Sequence, residues 1–443
     1  MDLLNDRVGK LFRKYLIAAC GSALVVSIYT MVDIICVGQY EGPDGAAALA
    51  CVTPLFSVFI SLGMLLGIGG AVHMSLCRGE GRHQDGDRYF VISLLTGLVL
   101  SAVLTVAGMA YCEEILRLLG ADDQLIGLAM AYSKYVFPTF PCFLLGQLLI
   151  AYIRNDGAPL LCTAAVMTGG ILNIFLDVFL VFTMDMGAAG AGLATGIGQT
   201  AAVLVLLTYF LRKSCRLRLI RPVRVWKTLR QIVQSGFAPF IVDLSYGFAI
   251  ALFNNQIMRY GTATELAAYG TMSNVAITFQ CFFYGVGQAL QPIVSINYGA
   301  GRRDRVRQVL TMALTTTAIM SVAFFAIVQL FPRQLLGIYM DVTPEVLAVG
   351  PGIMRRYAVS LLLSGVNIAV SYYLQSVLRS GQSVLVSLCR GCLFLVPFLY
   401  VLPLLPWGIT GLWWAMPLTE LCTVLVAVWF LRRDSKQSTL PNN

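Results

Sequence analysis

Apolar residues in this chain come in long, nearly unbroken runs separated by short charged segments. They show neither the two-residue alternation of a half-buried strand nor the narrow stripe of a surface helix. Read from charge to charge, the runs cover 15–37, 46–77, 89–112, 135–153, 158–184 and 187–211 in the first half. In the second half they cover 231–258, 266–297, 308–332, 357–378, 382–405 and 409–431. Each approaches or exceeds the about 20 residues that a helix needs to cross a hydrocarbon core roughly 30 Å thick. Twelve transmembrane helices are predicted, six per half, in an all-α integral membrane protein.

The two halves are related. Ser75-Leu-Cys-Arg-Gly-Glu-Gly-Arg82 returns as Ser295-Ile-Asn-Tyr-Gly-Ala-Gly-Arg302, with Ser, both Gly and the last Arg in register (295 − 75 = 220). Leu118-Leu-Gly120 answers Leu335-Leu-Gly337, Gly187-Ala-Ala-Gly190 answers Gly408-Ile-Thr-Gly411, and Phe210-Leu-Arg212 answers Phe430-Leu-Arg432. Two pseudo-symmetric six-helix bundles follow: an N-lobe over 1–211 and a C-lobe over 231–433, joined by a basic linker at 212–230 and ending in a polar tail at 434–443. Val223, Trp226, Leu229 and Val233 recur at helical spacing, so the linker is either an amphipathic surface helix or an ordinary connector. Paired membrane lobes offer a substrate site at their seam, the arrangement of a transporter. Glycines within spans, such as Gly63 and Gly67, signal close helix packing and carry no chemistry.

Composition agrees. Hydrophobic residues make up 58% of the chain and charged ones 12%, too apolar for a water-facing domain. The net charge of +9 would suggest nucleic acid in a soluble protein, but its placement argues otherwise. Basic residues precede the first run, follow the second, eighth and twelfth, and fill the linker, whereas the alternate connections carry Glu41, Asp44, Glu113, Glu114, Asp122, Asp123, Asp341 and Glu345. The positive-inside bias then puts both termini in the cytoplasm of a multi-pass cell-membrane protein. The basic start leads straight into a full-length span, so no cleavable signal peptide is expected. The twelve cysteines are scattered through apolar runs as small hydrophobes. Cys389-Arg-Gly-Cys392 lacks histidine partners, and His73 and His83 are the only histidines, so no metal cluster or cofactor is expected. A phosphate-binding GxxxxGK[ST] loop does not occur, which argues against ATP hydrolysis. His73, near a span end, reads as a packed residue.

Ionisable residues inside the runs are few: Asp33, Asp177, Asp243, Glu420 and Arg390. A charged carboxylate in hydrocarbon costs several kcal/mol, so such groups face a cavity or a partner. Tyr29 and Asp33 stand one turn apart on one helix face, near the outer end of their span, where snorkelling to water is the alternative. Asn173 and Asp177 repeat that spacing. Thr195, about nine residues past the turn near Met186, reaches the depth of Asp177, about nine before it. Carboxylate, amide and hydroxyl oxygens together suit a proton or a hard cation such as Na⁺. In the second half, Gln280, Tyr284, Gln288 and Gln291 form one polar stripe and Asn367, Ser371 and Gln375 another. These suit a water-filled vestibule or hydrogen bonding between helices. Glu420 and Arg390 read as a structural pair.

Tyr29-Thr-Met-Val-Asp33-Ile-Ile-Cys-Val-Gly38, Asn173-Ile-Phe-Leu-Asp177 and Gly187-Ala-Ala-Gly-Ala-Gly-Leu-Ala-Thr195 resemble motifs of the multidrug and toxic compound extrusion (MATE) family. Gln291-Pro-Ile-Val-Ser-Ile-Asn-Tyr-Gly-Ala-Gly-Arg302 is similar to its MepA-like bacterial branch. The resemblance spans essentially the whole chain. It implies a V-shaped pair of six-helix bundles that exports organic cations and other xenobiotics in exchange for H⁺ or Na⁺; the expected mechanism is alternating access, with the lobes rocking about a central cavity. It further implies that Asp33, Asn173, Asp177 and Thr195 form the N-lobe cation site. Tyr29, Asp243, Gln280, Tyr284, Gln288, Asn367, Ser371 and Gln375 are the candidates for the substrate cavity. The expected partners are small cationic substrates and the lipid bilayer, with the chain acting as a monomer. One departure is the absence of the family's early first-helix proline, where this chain reads Tyr15-Leu-Ile-Ala18-Ala-Cys20.

Two other transporter classes share parts of the pattern. A lipid-linked oligosaccharide flippase of the same topology wants a cationic cavity for pyrophosphate, but the spans hold more acids than bases. A major-facilitator carrier wants G-x-x-x-D-R-x-G-R-R after its second span, which Arg78-Gly-Glu-Gly-Arg-His-Gln-Asp fits poorly. A membrane-embedded enzyme is disfavoured by the lack of a His/Asp/Glu metal set or a Ser-His pair.

Overall fold

The computed structural model describes residues 2–213, 215–339 and 343–437. Asp341 and the end of the polar tail lie outside these residues, as do the side chains of 243–247. The chain runs through α1 (Val8–Glu41), α2 (Pro43–Gly79), α3 (His83–Ala110), α4 (Cys112–Leu118), α5 (Ile126–Val136), α6 (Phe140–Asn155), α7 (Pro159–Asp177) and α8 (Gly187–Leu207). It continues through α9 (Val225–Tyr260), α10 (Ala263–Gly299), α11 (Arg303–Leu330), α12 (Pro332–Tyr339), α13 (Pro344–Tyr357), α14 (Leu361–Ser376), α15 (Ser380–Leu388), α16 (Leu395–Val401) and α17 (Ile409–Gln437). No strand occurs among the described residues.

Ten helical segments among the described residues are long and apolar enough to cross a membrane. In addition, α9 and α10, of 36 and 37 residues, occupy the seventh and eighth predicted runs. The outer faces are as apolar as the insides: Val99, Val103 and Val106 of α3 are 59–68% exposed, which only lipid makes favourable.

Helix ends differ from the runs in an instructive way. The fourth and tenth spans begin at Ile126 and Pro344, well before the apolar stretches that start at 135 and 357. Lys134, Arg355 and Arg356 interrupt those runs without interrupting the helices, because a long basic side chain near a span end reaches past the hydrocarbon. Among its described residues the linker is non-helical until Val225, where α9 begins, so Trp226, Leu229 and Val233 fall on the first turns of that helix.

By contacts the chain divides into two compact units. Unit 1 holds 1–240 together with 295–302, and unit 2 holds 241–294 and 303–443. In unit 1, α1 turns into α2 through Gly42, whose φ of 73° favours glycine, followed by Pro43 at the first helical position. Gly63 and Gly67 lie against the backbone of α6 at Leu144 and Leu148. Gly169 of α7 and Gly198 of α8 face one another, and a Cβ on either would stand 2.7 Å from the other's carbonyl oxygen. That approach lets short side chains on α7 and α8 touch. The repeated motifs also meet inside unit 1, where Gly79 lies on the backbone of Ile296 and Gly299 on that of Leu76. His73 is packed there, stacked on Tyr89 with centroids 4.8 Å apart and 3.0 Å from the Ser235 hydroxyl.

Unit 2 has its own core. Tyr269 stacks between Phe253 (4.8 Å) and Trp413 (6.3 Å), and Phe279 stacks on Phe324 (4.2 Å). Among the described residues, two helices widen to π geometry, at 178–183 in unit 1 and 389–393 in unit 2. Each widening adjoins a buried polar centre.

Candidate functional site

The polar centre of unit 1 is a chain of five side chains from four helices. Asp177 ends the regular part of α7 and is fully buried, and Asn173, one turn earlier, is 3% exposed. The Asn173 Nδ2 donates to Asp177 Oδ1 and to the Thr195 hydroxyl on α8, both at 3.4 Å. The pairing of Thr195 with the Asn173/Asp177 level follows from the glycine contact between α7 and α8 and from the tight turn at Asp185 to Gly187. Outside that turn, Glu41 Oε1 accepts from the Ala188 N–H at 3.3 Å, and the Tyr40 hydroxyl donates to Asp185. The end of α1 is thereby fixed to the start of α8.

Asp33 joins from α1. The Tyr132 hydroxyl of α5 lies 3.2 Å from Asp33 Oδ2 and 3.4 Å from Thr195 Oγ1. Tyr132 is 1% exposed, with its ring edge-on to Phe56. It connects Asp33, Thr195, Asn173 and Asp177, and the sequence pattern does not single it out. Tyr132 lies just before the fourth apolar run, next to Lys134, where a tyrosine gives no signal. Along the adjoining face is a small cavity of about 50 Å³, lined in part by Tyr29, Asn173, Thr195 and Gln199. Gln199 Nε2 donates to the Tyr29 hydroxyl at 3.4 Å, a second contact that spacing alone does not suggest.

The chain is short of donors. Asp33 Oδ1, Asp177 Oδ2 and Asn173 Oδ1 are buried acceptors with no hydrogen-bond partner. Among the described residues, no Lys or Arg forms an ion pair with either carboxylate. Leaving a buried acceptor unmet costs about 1–3 kcal/mol and more for a charged one, so three together make a place that gains from a proton or a cation.

Unit 2 is built differently. Arg390, in the π segment, donates from Nε to Glu420 Oε1 at 2.6 Å and from Nη2 to Gln280 Oε1 at 3.0 Å. Asn367 Nδ2 donates to Glu420 Oε2 at 2.6 Å and to its backbone carbonyl at 3.0 Å. Gln280 and Asn367 are therefore engaged with the ion pair. The Ser371 hydroxyl meets those of Ser383 (2.9 Å) and Ser387 (3.3 Å), Gln375 is buried, and Tyr284 and Gln288 are half-buried. The side chain of Asp243 lies outside the described residues.

A duplicated all-helical membrane fold with buried, unpartnered carboxylate oxygens in its first half is the architecture of a transporter. The MatE family profile matches residues 18–179 and again 239–401, and the chain belongs to that family. It is 27% identical to the multidrug export protein MepA of Staphylococcus saprophyticus, over 94% of this chain and 91% of that one. It is 24% identical to the Staphylococcus aureus protein of the same name, over 93% and 91%. Its fold superimposes with a TM-score of 0.92 on an outward-facing multidrug resistance MATE family transporter of the MOP superfamily, 20% identical, covering 99% of this chain and 98% of the other.

Proposed function

We propose that this protein is a secondary active exporter of small organic cations, driven by inward movement of H⁺ or Na⁺ through alternating access. The observation that carries the reading is the set of three buried, unpartnered oxygens on Asp33, Asn173 and Asp177, linked through Tyr132 and Thr195 and, among the described residues, forming an ion pair with no basic side chain. Relatives similar over nine-tenths of the chain are named multidrug export proteins, which supports the substrate class.

The chemistry is competition for negative charge. A proton on either carboxylate, or Na⁺ held by carboxylate, amide and hydroxyl oxygens, satisfies the open acceptors and neutralises the site. A cationic substrate leaning on the same carboxylates through the cavity beside Tyr29 then loses its counter-charge and leaves. Return of the ion to the other side restores the charge. Each species binds the state the other vacates, and that difference in affinity is what couples the two fluxes. Under this reading the protein works as a monomer in the cell membrane with both termini in the cytoplasm, as the basic connections require.

Accumulation of a cationic dye in cells expressing wild type or Asp33→Asn, with and without a proton or sodium gradient, tests this. Wild type keeps dye out only while the right gradient stands, and Asp33→Asn does not respond to it. Gradient-dependent export by the variant at the wild-type rate would refute the proposal.

A further inference from the structure

At the end of unit 1 remote from the Asp185 turn lies a second cavity, of about 390 Å³, which the transport reading does not use. Its wall carries Lys14 of α1 and Arg212, Lys213 and Arg216 from the segment after α8. Its lining also includes Gly157 to Leu161, the turn into α7, whose start has no side-chain cap. The N-terminal end of that helix adds to the positive field.

The lining contains one carboxylate, and it is already committed. Asp156 pairs with the buried Arg78 through one oxygen. Its other oxygen accepts from the Tyr209 hydroxyl at 2.6 Å and the Arg216 N–H at 3.0 Å. Nearby, Asp2 also feels the charge of Arg216, and its carboxyl is held below its usual range mainly by the Asn5 side chain and the Leu4 N–H. None of the four cations forms an ion pair among the described residues. Four positive charges thus surround a space large enough for a headgroup and too polar for an acyl chain. Apolar surface adjoins it in the chain: Leu160 is 50% exposed and Leu211, beside Arg212, 87%.

We infer that this cavity binds the phosphate of an anionic glycerophospholipid, with the headgroup among Lys14, Arg212, Lys213 and Arg216 and the acyl chains along Leu160 and Leu211. Basic pockets at the headgroup level of a membrane helix bundle meet such lipids at a high local concentration, which favours the lipid over a soluble phosphate. The bound headgroup bridges α1 to the start of α7, the two helices that carry Asp33 and Asp177. This inference needs only the membrane embedding and stands apart from the proposed export.

Native mass spectrometry of the purified full chain, loaded from mixed phosphatidylglycerol and phosphatidylcholine micelles, reads the preference directly. Lys14→Gln/Arg212→Gln is compared with a charge-matched control in unit 2, Arg307→Gln/Arg432→Gln. At about fivefold per cation, retention of phosphatidylglycerol over phosphatidylcholine falls roughly 25-fold in the first pair and stays at the wild-type level in the control. Arg212→Gln alone, at an exposed position, lowers it about fivefold and guards against a folding defect in the double variant. Equal losses in both pairs, or none in either, overturn the inference. Inorganic phosphate is the remaining arm: displacement of phosphatidylglycerol at matched concentration would show a soluble-anion site and overturn the lipid assignment, whereas lipid retained in its presence supports it.

Discussion

The two halves of this chain share a scaffold and have exchanged their chemistry. In the later part of each half the corresponding helices begin 221 positions apart, α6 and α14 at Phe140 and Leu361 (361 − 140 = 221), α7 and α15 at Pro159 and Ser380 (380 − 159 = 221). At that spacing Asn173, Asp177 and Thr195 correspond to Phe394, Phe398 and Met416, so this part of the polar chain of unit 1 has become apolar in unit 2. Conversely, Gly146, Gly169 and Gln199, which line the small cavity of unit 1, correspond to Asn367, Arg390 and Glu420, the interlocked group of unit 2. Where one half keeps space beside unneutralised carboxylates, the other fills the equivalent place with a carboxylate and its own cation. A permanently supplied guanidinium leaves nothing for a mobile ion to compete for. The repeat thus specifies helix packing, while a handful of positions decide whether the buried carboxylates of a half are matched by a cation of their own.

Breaking the pair in unit 2 should produce the largest effect. Glu420→Gln leaves Arg390 buried without its counter-charge, and thermal unfolding in detergent should show a loss of about 3–5 kcal/mol. A melting curve unchanged from wild type would mean that the pair does not hold the fold.

Asp177→Asn comes next, because it keeps shape and removes charge at the proposed exchange site. Loss of a hydrogen-bonded charge weakens ion binding by about 1.5–3 kcal/mol, roughly 10- to 100-fold, measured as the ion concentration giving half-maximal dye export. An unaltered ion dependence would remove Asp177 from the coupling site. Tyr132→Phe should act in the same direction but more weakly, about 0.5–1.5 kcal/mol or 2- to 10-fold, since the ring packing survives and only the hydroxyl link goes. If Tyr132→Phe instead matched Asp177→Asn, the tyrosine would be a direct ion ligand.

The smallest change is expected from removing both members of the unit 2 pair. Arg390→Leu with Glu420→Leu replaces a satisfied buried ion pair by apolar volume, which is often neutral or stabilising. Stability near wild type with dye export retained would sharpen the contrast between the halves. Retained stability with export lost would assign unit 2 a transport role.

Much of this was legible in the chain. Uninterrupted apolar runs have one stable solution in lipid, because every backbone group must be satisfied within its own helix. The number of predicted spans, the internal duplication and the isolated acids followed from that constraint and from the cost of burying charge. Asp33, Asn173, Asp177 and Thr195 stood out because oxygen-bearing side chains one turn apart are conspicuous on an otherwise oily face. Helix ends at Ile126 and Pro344 were misjudged because hydropathy marks the hydrocarbon boundary and not the end of hydrogen bonding.

What the tertiary structure alone decided is which oxygens meet. Tyr132 falls just before the fourth predicted run and Gln199 inside the sixth, and neither stands out until α5 and α8 pack together and meet α1. Gly169 and Gly198 acquire meaning only by facing each other. Arg390 and Glu420, 30 positions apart in the chain, bond because two helices bring them to one depth. Local sequence determines whether a segment prefers lipid to water. Whether a buried oxygen is answered by a neighbour depends on distances of about 3 Å between helices, and these are set by side chains far apart along the chain.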